Sequence, residues 1–204
     1  MPTYPFTQVD AFTDQPLAGN PCAILFDADD LSDAQMLAIA KEMNLSETAF
    51  VRHSNIADFG VRYFTPAEEI PLAGHPTIAT THALIDDGRL PLAGPKTSIT
   101  FELPVGPIEI EIFAADGRPP RIVMSQKKPQ FGALHDPAQV MPAFGLTPAD
   151  LLPGAPIQTV STGTPQLMIP LRGLDALRRA RVNVPAYAAL RESADFFSPH
   201  LFCL

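Results

Sequence analysis

The stretch Pro71-Leu72-Ala73-Gly74-His75-Pro76 sets a glycine and a histidine at the head of a run, Thr77 to Ile85, that is small or apolar almost throughout. Asp86, Asp87 and Gly88 follow as a stop. A helix with almost no polar face has to be buried. Its first turn carries unpaired backbone N–H groups and partial positive charge, and Gly74 would let a ligand approach the backbone closely. That combination suits a carboxylate or other anion, and His75 adds a hydrogen-bond donor or a proton carrier. Pro76 fits a first helical turn, where no N–H is needed. His82, on the same helical face as His75, reads as an interior, hydrogen-bonded histidine.

Other candidates carry less signal by themselves. Glu47 opens a predicted strand, where glutamate is commonly a solvated edge residue; beside an anion site that excludes water it would suit the transfer of a proton. Asp10 and Asn20 flank a turn-rich loop, so turn and cap roles are their default, with Asn20 a candidate substrate contact. Ser161 and Thr162 precede Gly163 without the G-x-S-x-G setting of a serine nucleophile. His53, His135 and His200 show no ligand spacing, and Cys22 and Cys203 form no metal or disulfide pattern, so no metal is expected. The arginines between Arg172 and Arg181 read as a solvated helix face.

The elements that must position these residues are short. The 204-residue chain contains 23 prolines, and proline is excluded from helix interiors and central strands. The hydrophobic share of 46% and charged share of 18% suit a globular protein able to bury a core. A net charge of −8 argues against a nucleic-acid partner. No apolar run approaches the ~18 residues of a membrane helix, and the start lacks a basic leader, so a cytoplasmic protein is expected. Strands are predicted at Tyr4–Phe12, Cys22–Phe26, Glu47–Val51, Phe59–Thr65, Thr97–Leu103, Pro107–Phe113 and Arg121–Ser125. A helix begins near Leu31, with Asp30 or Ser32 as its cap. A mixed sheet rolled around the buried helix follows, an α+β unit ending near residue 127. Lys127 to Pro137 reads as a linker. Beyond it come strands at Gln158–Ser161 and Gln166–Pro170 and helices around Leu174–Ala180 and Ala186–Arg191.

The second unit echoes the first. Gly19-Asn20-Pro21-Cys22-Ala23-Ile24-Leu25 matches Gly163-Thr164-Pro165-Gln166-Leu167-Met168-Ile169, a Gly-x-Pro turn feeding an apolar strand. A Leu-x-Glu-Ser/Thr-Ala segment follows each, at Leu45–Ala49 and Leu190–Ala194. If the repeat is real, the units are pseudo-symmetric, with a ligand cleft natural between them. Carried on to Gly74, the same spacing puts its counterpart beyond Leu204. The second unit is then expected to lack its own buried helix, and the apolar ending Phe196 to Leu204 reads as a chain cut short.

Val9-Asp10-Ala11-Phe12, Gly19-Asn20-Pro21, Met43-Asn44-Leu45-Ser46-Glu47-Thr48-Ala49-Phe50, Arg62-Tyr63-Phe64-Thr65-Pro66 and Leu72-Ala73-Gly74-His75-Pro76 stand in this order. In that, the chain resembles the PhzF family of phenazine biosynthesis, related in fold to diaminopimelate epimerase. The resemblance implies two pseudo-symmetric domains, each a mixed sheet around a central helix, with the active site between them. Here these would be residues 1–127, with a central helix over 76–87, and an incomplete 128–204. It also implies a homodimer, no metal or organic cofactor, and an isomerase or epimerase that moves a proton on a small carboxylate-bearing metabolite. Glu47 falls on the family's acid–base glutamate, and Gly74 and His75 on its substrate-binding turn. The family's second motif, Asp-x-Ala-Thr-Gly-Ser, is absent, so a truncated protein without activity and with at most weak ligand binding is the alternative. The epimerase relatives use paired cysteines; Ala73 stands where their first would be, so two-thiol chemistry is not expected.

Overall fold

The computed structural model describes residues 3–15, 17–114 and 117–204. The chain divides into two compact units, Met1–Gln126 and Lys127–Leu204. The first contains strands β1 (Phe6–Ala11), β2 (Asn20–Leu25), β3 (Glu47–Arg52), β4 (Phe59–Phe64), β5 (Glu69–Ile70), β6 (Lys96–Leu103), β7 (Gly106–Phe113) and β8 (Arg121–Met124). Its helices are α1 (Asp33–Met43) and α2 (Gly74–Asp86). The strands form one mixed sheet in the order β1-β2-β3-β4-β6-β7-β8, with β5 paired to β4. Helix α2 packs against β1, β2 and β3 and also against β8 at the opposite edge, so the sheet curls around it. The architecture is α+β.

Period-2 alternation explains the sheet's two faces. In β4, Val61 and Tyr63 turn inward toward α2, while Phe64 and, on β3, Phe50 face outward onto Leu31, Met36 and Ala40 beside α1. Helix α1 starts on a capping box: Ser32 accepts the Gln35 N–H and the Gln35 side chain accepts the Ser32 N–H. It ends at Asn44, whose left-handed backbone closes the helix. This βαβ crossover makes β2 and β3 parallel, pairing Cys22 with Glu47. Both strands therefore begin at the same end of the sheet. Helix α2 buries Thr77, Ala79, Thr80, Thr81, Ala83 and Leu84. Two of its threonines return hydrogen bonds to the helix, Thr77 Oγ1 donating to the Ala73 carbonyl (2.7 Å) and Thr81 Oγ1 to that of Thr77 (2.8 Å), whereas Thr80 Oγ1 is buried without a partner.

The second unit contains β9 (Gln130–His135), α3 (Pro137–Val140), β10 (Ile157–Ser161), β11 (Pro165–Pro170), α4 (Leu174–Arg179), α5 (Val184–Arg191) and β12 (Ser198–Phe202). Its sheet runs β12-β11-β10-β9 over a core that includes Met141, Phe144, Ile157, Leu167 and Ile169.

Three expectations need correction. The segment predicted as a linker is largely β9, held by antiparallel pairing to β10; its side chains are mostly exposed, so no burial pattern announced it. The central helix begins at Gly74, not residue 76, and Pro76 lies inside its first turn. The Leu-x-Glu segments are not equivalent: Glu47 opens β3, whereas Glu192 follows the end of α5. The counterpart of the β2–β3 parallel pair is β11–β12, in which Gln166 faces Ser198.

Candidate functional site

The start of β2, the start of β3 and the head of α2 meet at one end of the first unit. Glu47 is the first residue of β3 and lies beside Cys22. His75 is the second residue of α2. Their side chains come together, His75 Nε2 lying 3.4 Å from Glu47 Oε2. Both are shielded, with side-chain exposures of 9% and 18%. Those same two atoms are buried and lack a hydrogen-bond partner. They are close enough to share charge but are not aligned as a hydrogen bond.

The His75 ring is anchored by a hydrogen bond to the Pro21 carbonyl, which leaves Nε2 directed at Glu47. Burial pulls the imidazole below its ordinary value of 6.5, while the Glu47 charge and the Pro21 bond oppose that shift. At neutral pH the ring is therefore an uncharged imidazole facing a carboxyl group. The neighbouring Cys22 thiol is fully buried. Burial first, and then the Glu47 charge, push its pKa up to about 12, so it is not a thiolate at neutral pH.

The helix head beside this pair is bare. The residue preceding the helix, Ala73, offers no side-chain cap, and Pro76 has no N–H. The leading amide donors are therefore those of Gly74 and His75. Gly74 is exposed, and a Cβ built there would meet nothing within 4 Å; the space over this peptide is open to a ligand. Beneath it runs a buried hydroxyl chain that the sequence did not single out. Tyr63 and Thr77 are both fully buried, with Tyr63 Oη 2.8 Å from Thr77 Oγ1. Thr77 spends its proton on the Ala73 carbonyl, so Tyr63 O–H is the donor in the Tyr63–Thr77 bond. The signal in the sequence was a tyrosine at an inward position of β4.

Asn20, the first residue of β2, is exposed and paired in register with Ala11; among the described residues no hydrogen bond joins its side chain to Glu47 or His75. Asp10 takes the turn role expected by default, its Oδ2 accepting the Leu17 N–H at 2.9 Å. His82 departs from expectation: it is half-buried, and its Nδ1 is buried without a partner. It lines a cavity of about 460 Å³ with Ile78, Ala11, Phe12, Pro119 and Ile122, where the edges of the curled sheet approach α2. Among the described residues no group of three or more His, Cys, Asp or Glu side chains gathers as a metal site, and no helix is long and apolar enough to cross a membrane.

The family model for phenazine biosynthesis-like proteins, PhzC-PhzF, matches residues 9–198. The chain is 38% identical over 175 residues to the uncharacterized isomerase YddE of Escherichia coli K12, covering 83% of this chain and 57% of that protein. It is 39% identical over 173 residues to the trans-2,3-dihydro-3-hydroxyanthranilate isomerase of Pseudomonas fluorescens, covering 83% of this chain and 58% of that one. A solved PhzF-family structure from Bacillus anthracis superposes with a TM-score of 0.79 at 33% identity, over 98% of this chain and 68% of that one. The chain thus spans somewhat more than half the length of these curated relatives. Motif order, a sheet curled on a buried helix and a match over nearly the whole sequence agree: the chain belongs to the PhzC-PhzF family of phenazine biosynthesis-like proteins.

Proposed function

We propose that this chain carries the proton-transfer machinery of an isomerase acting on a small carboxylate-bearing metabolite, with no metal or organic cofactor. The observation that carries this reading is the pairing of Glu47 Oε2 with His75 Nε2 at 3.4 Å, both buried and unpartnered, beside an uncapped helix head. The Gly74 and His75 amides receive the substrate carboxylate, as helix N-termini do. Glu47 as carboxylate removes a proton from one carbon and returns it to another; the transfer is redox-neutral and needs no further reactant. His75, its ring uncharged and held by the Pro21 carbonyl, offers its backbone amide to the anion and places no net charge beside Glu47. Asn20 contributes a polar group at the rim. The family resemblance further implies a homodimer, and the expected place of work is the cytoplasm.

The test offers the 204-residue chain trans-2,3-dihydro-3-hydroxyanthranilate, the substrate named for the Pseudomonas relatives, in deuterated buffer. Proton NMR follows loss of the substrate C–H signals. Exchange is expected, and Glu47→Gln should slow it by about 10²–10⁴-fold, the usual worth of a general acid–base group. Exchange that survives Glu47→Gln removes Glu47 from the chemistry. No exchange with the unaltered chain favours the alternative, a family member that retains the fold and at most binds such ligands weakly.

A further inference from the structure

We infer that Tyr63 and Thr77 are positioning residues for the anion-binding amide of Gly74, acting through the peptide bond that joins Ala73 to Gly74. This rests on the reading of the helix head as an anion site and deepens it. The chain of donors has one direction. Tyr63 O–H donates to Thr77 Oγ1, and Thr77 O–H donates to the Ala73 carbonyl. That carbonyl belongs to the same planar peptide unit as the Gly74 N–H. Hydrogen bonding at a peptide's oxygen draws electron density toward it and makes its N–H a stronger donor, and successive bonds in a low-dielectric interior reinforce one another. The relay therefore ends at the first amide a bound carboxylate meets.

The placement of the two hydroxyls supports a role beyond filling the core. A phenylalanine would occupy the Tyr63 site as well by volume, and a buried hydroxyl has to be satisfied. Burial pushes the Tyr63 hydroxyl far above its ordinary range, so it stays a donor at every working pH. Ala73 itself holds an extended backbone, φ −143° and ψ 139°, immediately before the helical Gly74. The Thr77 bond pins that carbonyl, and with it the plane in which the Gly74 N–H points. Among the described residues the Tyr63 and Thr77 hydroxyls bond to each other and to the Ala73 carbonyl and not to the Glu47 or His75 side chains, so their influence runs through the helix head. They set how well the carboxylate is held, and Glu47 moves the proton.

The experiment compares the unaltered chain with Thr77→Val, Thr77→Ser and Tyr63→Phe, using benzoate as a carboxylate probe and amide NMR as the readout. Without ligand, Thr77→Val and Tyr63→Phe should move the Gly74 amide proton upfield, the valine further, whereas Thr77→Ser should leave it near its original position. Benzoate should bind Thr77→Val about 3–10-fold more weakly and Tyr63→Phe about 2-fold more weakly, with Thr77→Ser restored to within about 2-fold. A general loosening of the helix would not single out Gly74 or be rescued by serine. If Thr77→Val does not fold, Tyr63→Phe against Thr77→Ser decides the matter. Benzoate binding that is equal in all four proteins, with the Gly74 amide unmoved, overturns the relay and leaves the anion site standing. A chain that shows no benzoate-induced shift at Gly74 or His75 removes the anion site, and the inference with it.

Discussion

His75 gains its chemical character from opposing influences of unequal size. Burial lowers its proton affinity most, and the Glu47 charge and the Pro21 carbonyl only partly restore it. Replacing Glu47 by glutamine keeps the volume and removes the charge, so the depression should deepen. We expect the His75 pKa, followed by imidazole NMR across pH, to lie below 6.5 in the original chain and lower again in Glu47→Gln. An upward movement in that variant would mean that the two side chains do not face each other. The same shift affects stability. In the window between 6.5 and the depressed folded value, the unfolded chain binds the proton and the folded one does not. Stability contributed by neutral His75 is thus complete above 6.5 and declines as the pH falls through that window. The His75–Glu47 encounter could not be read from spacing alone. It depends on β2 pairing parallel to β3 and on α2 starting at the same end, both of which are tertiary facts.

At the scale of elements, the weak point is β5, whose two residues cannot hold a strand by themselves. It leads directly into the turn that presents Gly74, so its position matters to the site. Arg62 on β4 grips it in a fork, Nε to Glu69 Oε1 at 2.7 Å and Nη2 to Oε2 at 2.6 Å, and reaches Asp33 at the start of α1 with Nη1. The Arg62 side chain is 18% exposed, so this pair is better shielded than an ordinary surface ion pair. Lysine retains the charge but cannot make the two-pronged contact. Arg62→Lys should therefore lower stability by about 1–2 kcal/mol in urea unfolding, and broaden the amide signals of Ala73 to His75. Asp33→Asn, at a largely solvated carboxylate, should leave those signals sharp. Elements with a chemical start or a period were legible: the start of α1, narrowed to a cap at Asp30 or Ser32 and settled by the structure on Ser32, the strands β6 and β7, and the apolar run of α2. Those held by neighbours were not. Strand β5 is too short to show a period, and β9 exposes both Phe131 and Leu134 because it is an edge strand defined by backbone pairing. The first residue of α2 has no signal in the sequence, because Ala73 offers no cap and Pro76 marks a first turn without marking where it starts.

Over the whole molecule, charge is divided unevenly. Through Gln126 the sequence holds 17 Asp and Glu against 7 Lys and Arg, a net of −10, and the remainder holds 5 against 7, a net of +2; together they give the −8 of the chain. The site that receives a carboxylate thus lies on the strongly acidic unit. Two fields then compete for an approaching anion. The partial positive charge of the α2 head attracts it, but that influence fades within the first turn. The net negative charge repels it over a distance set by the Debye length, about 30 Å at 0.01 M salt and about 8 Å at 0.15 M. Added salt removes most of the long-range repulsion before it weakens contacts made at hydrogen-bond distance in a shielded site. Benzoate binding, and turnover at low substrate concentration, should consequently strengthen between about 0.01 and 0.15 M sodium chloride. A cationic patch guiding the substrate would give the opposite slope. Replacing exposed carboxylates remote from the site, such as Asp29 and Asp30 in the turn after β2, by their amides should raise low-salt affinity and flatten this dependence. A slope unchanged by those substitutions would place the controlling charge at the helix head and not in the acidic surface around it.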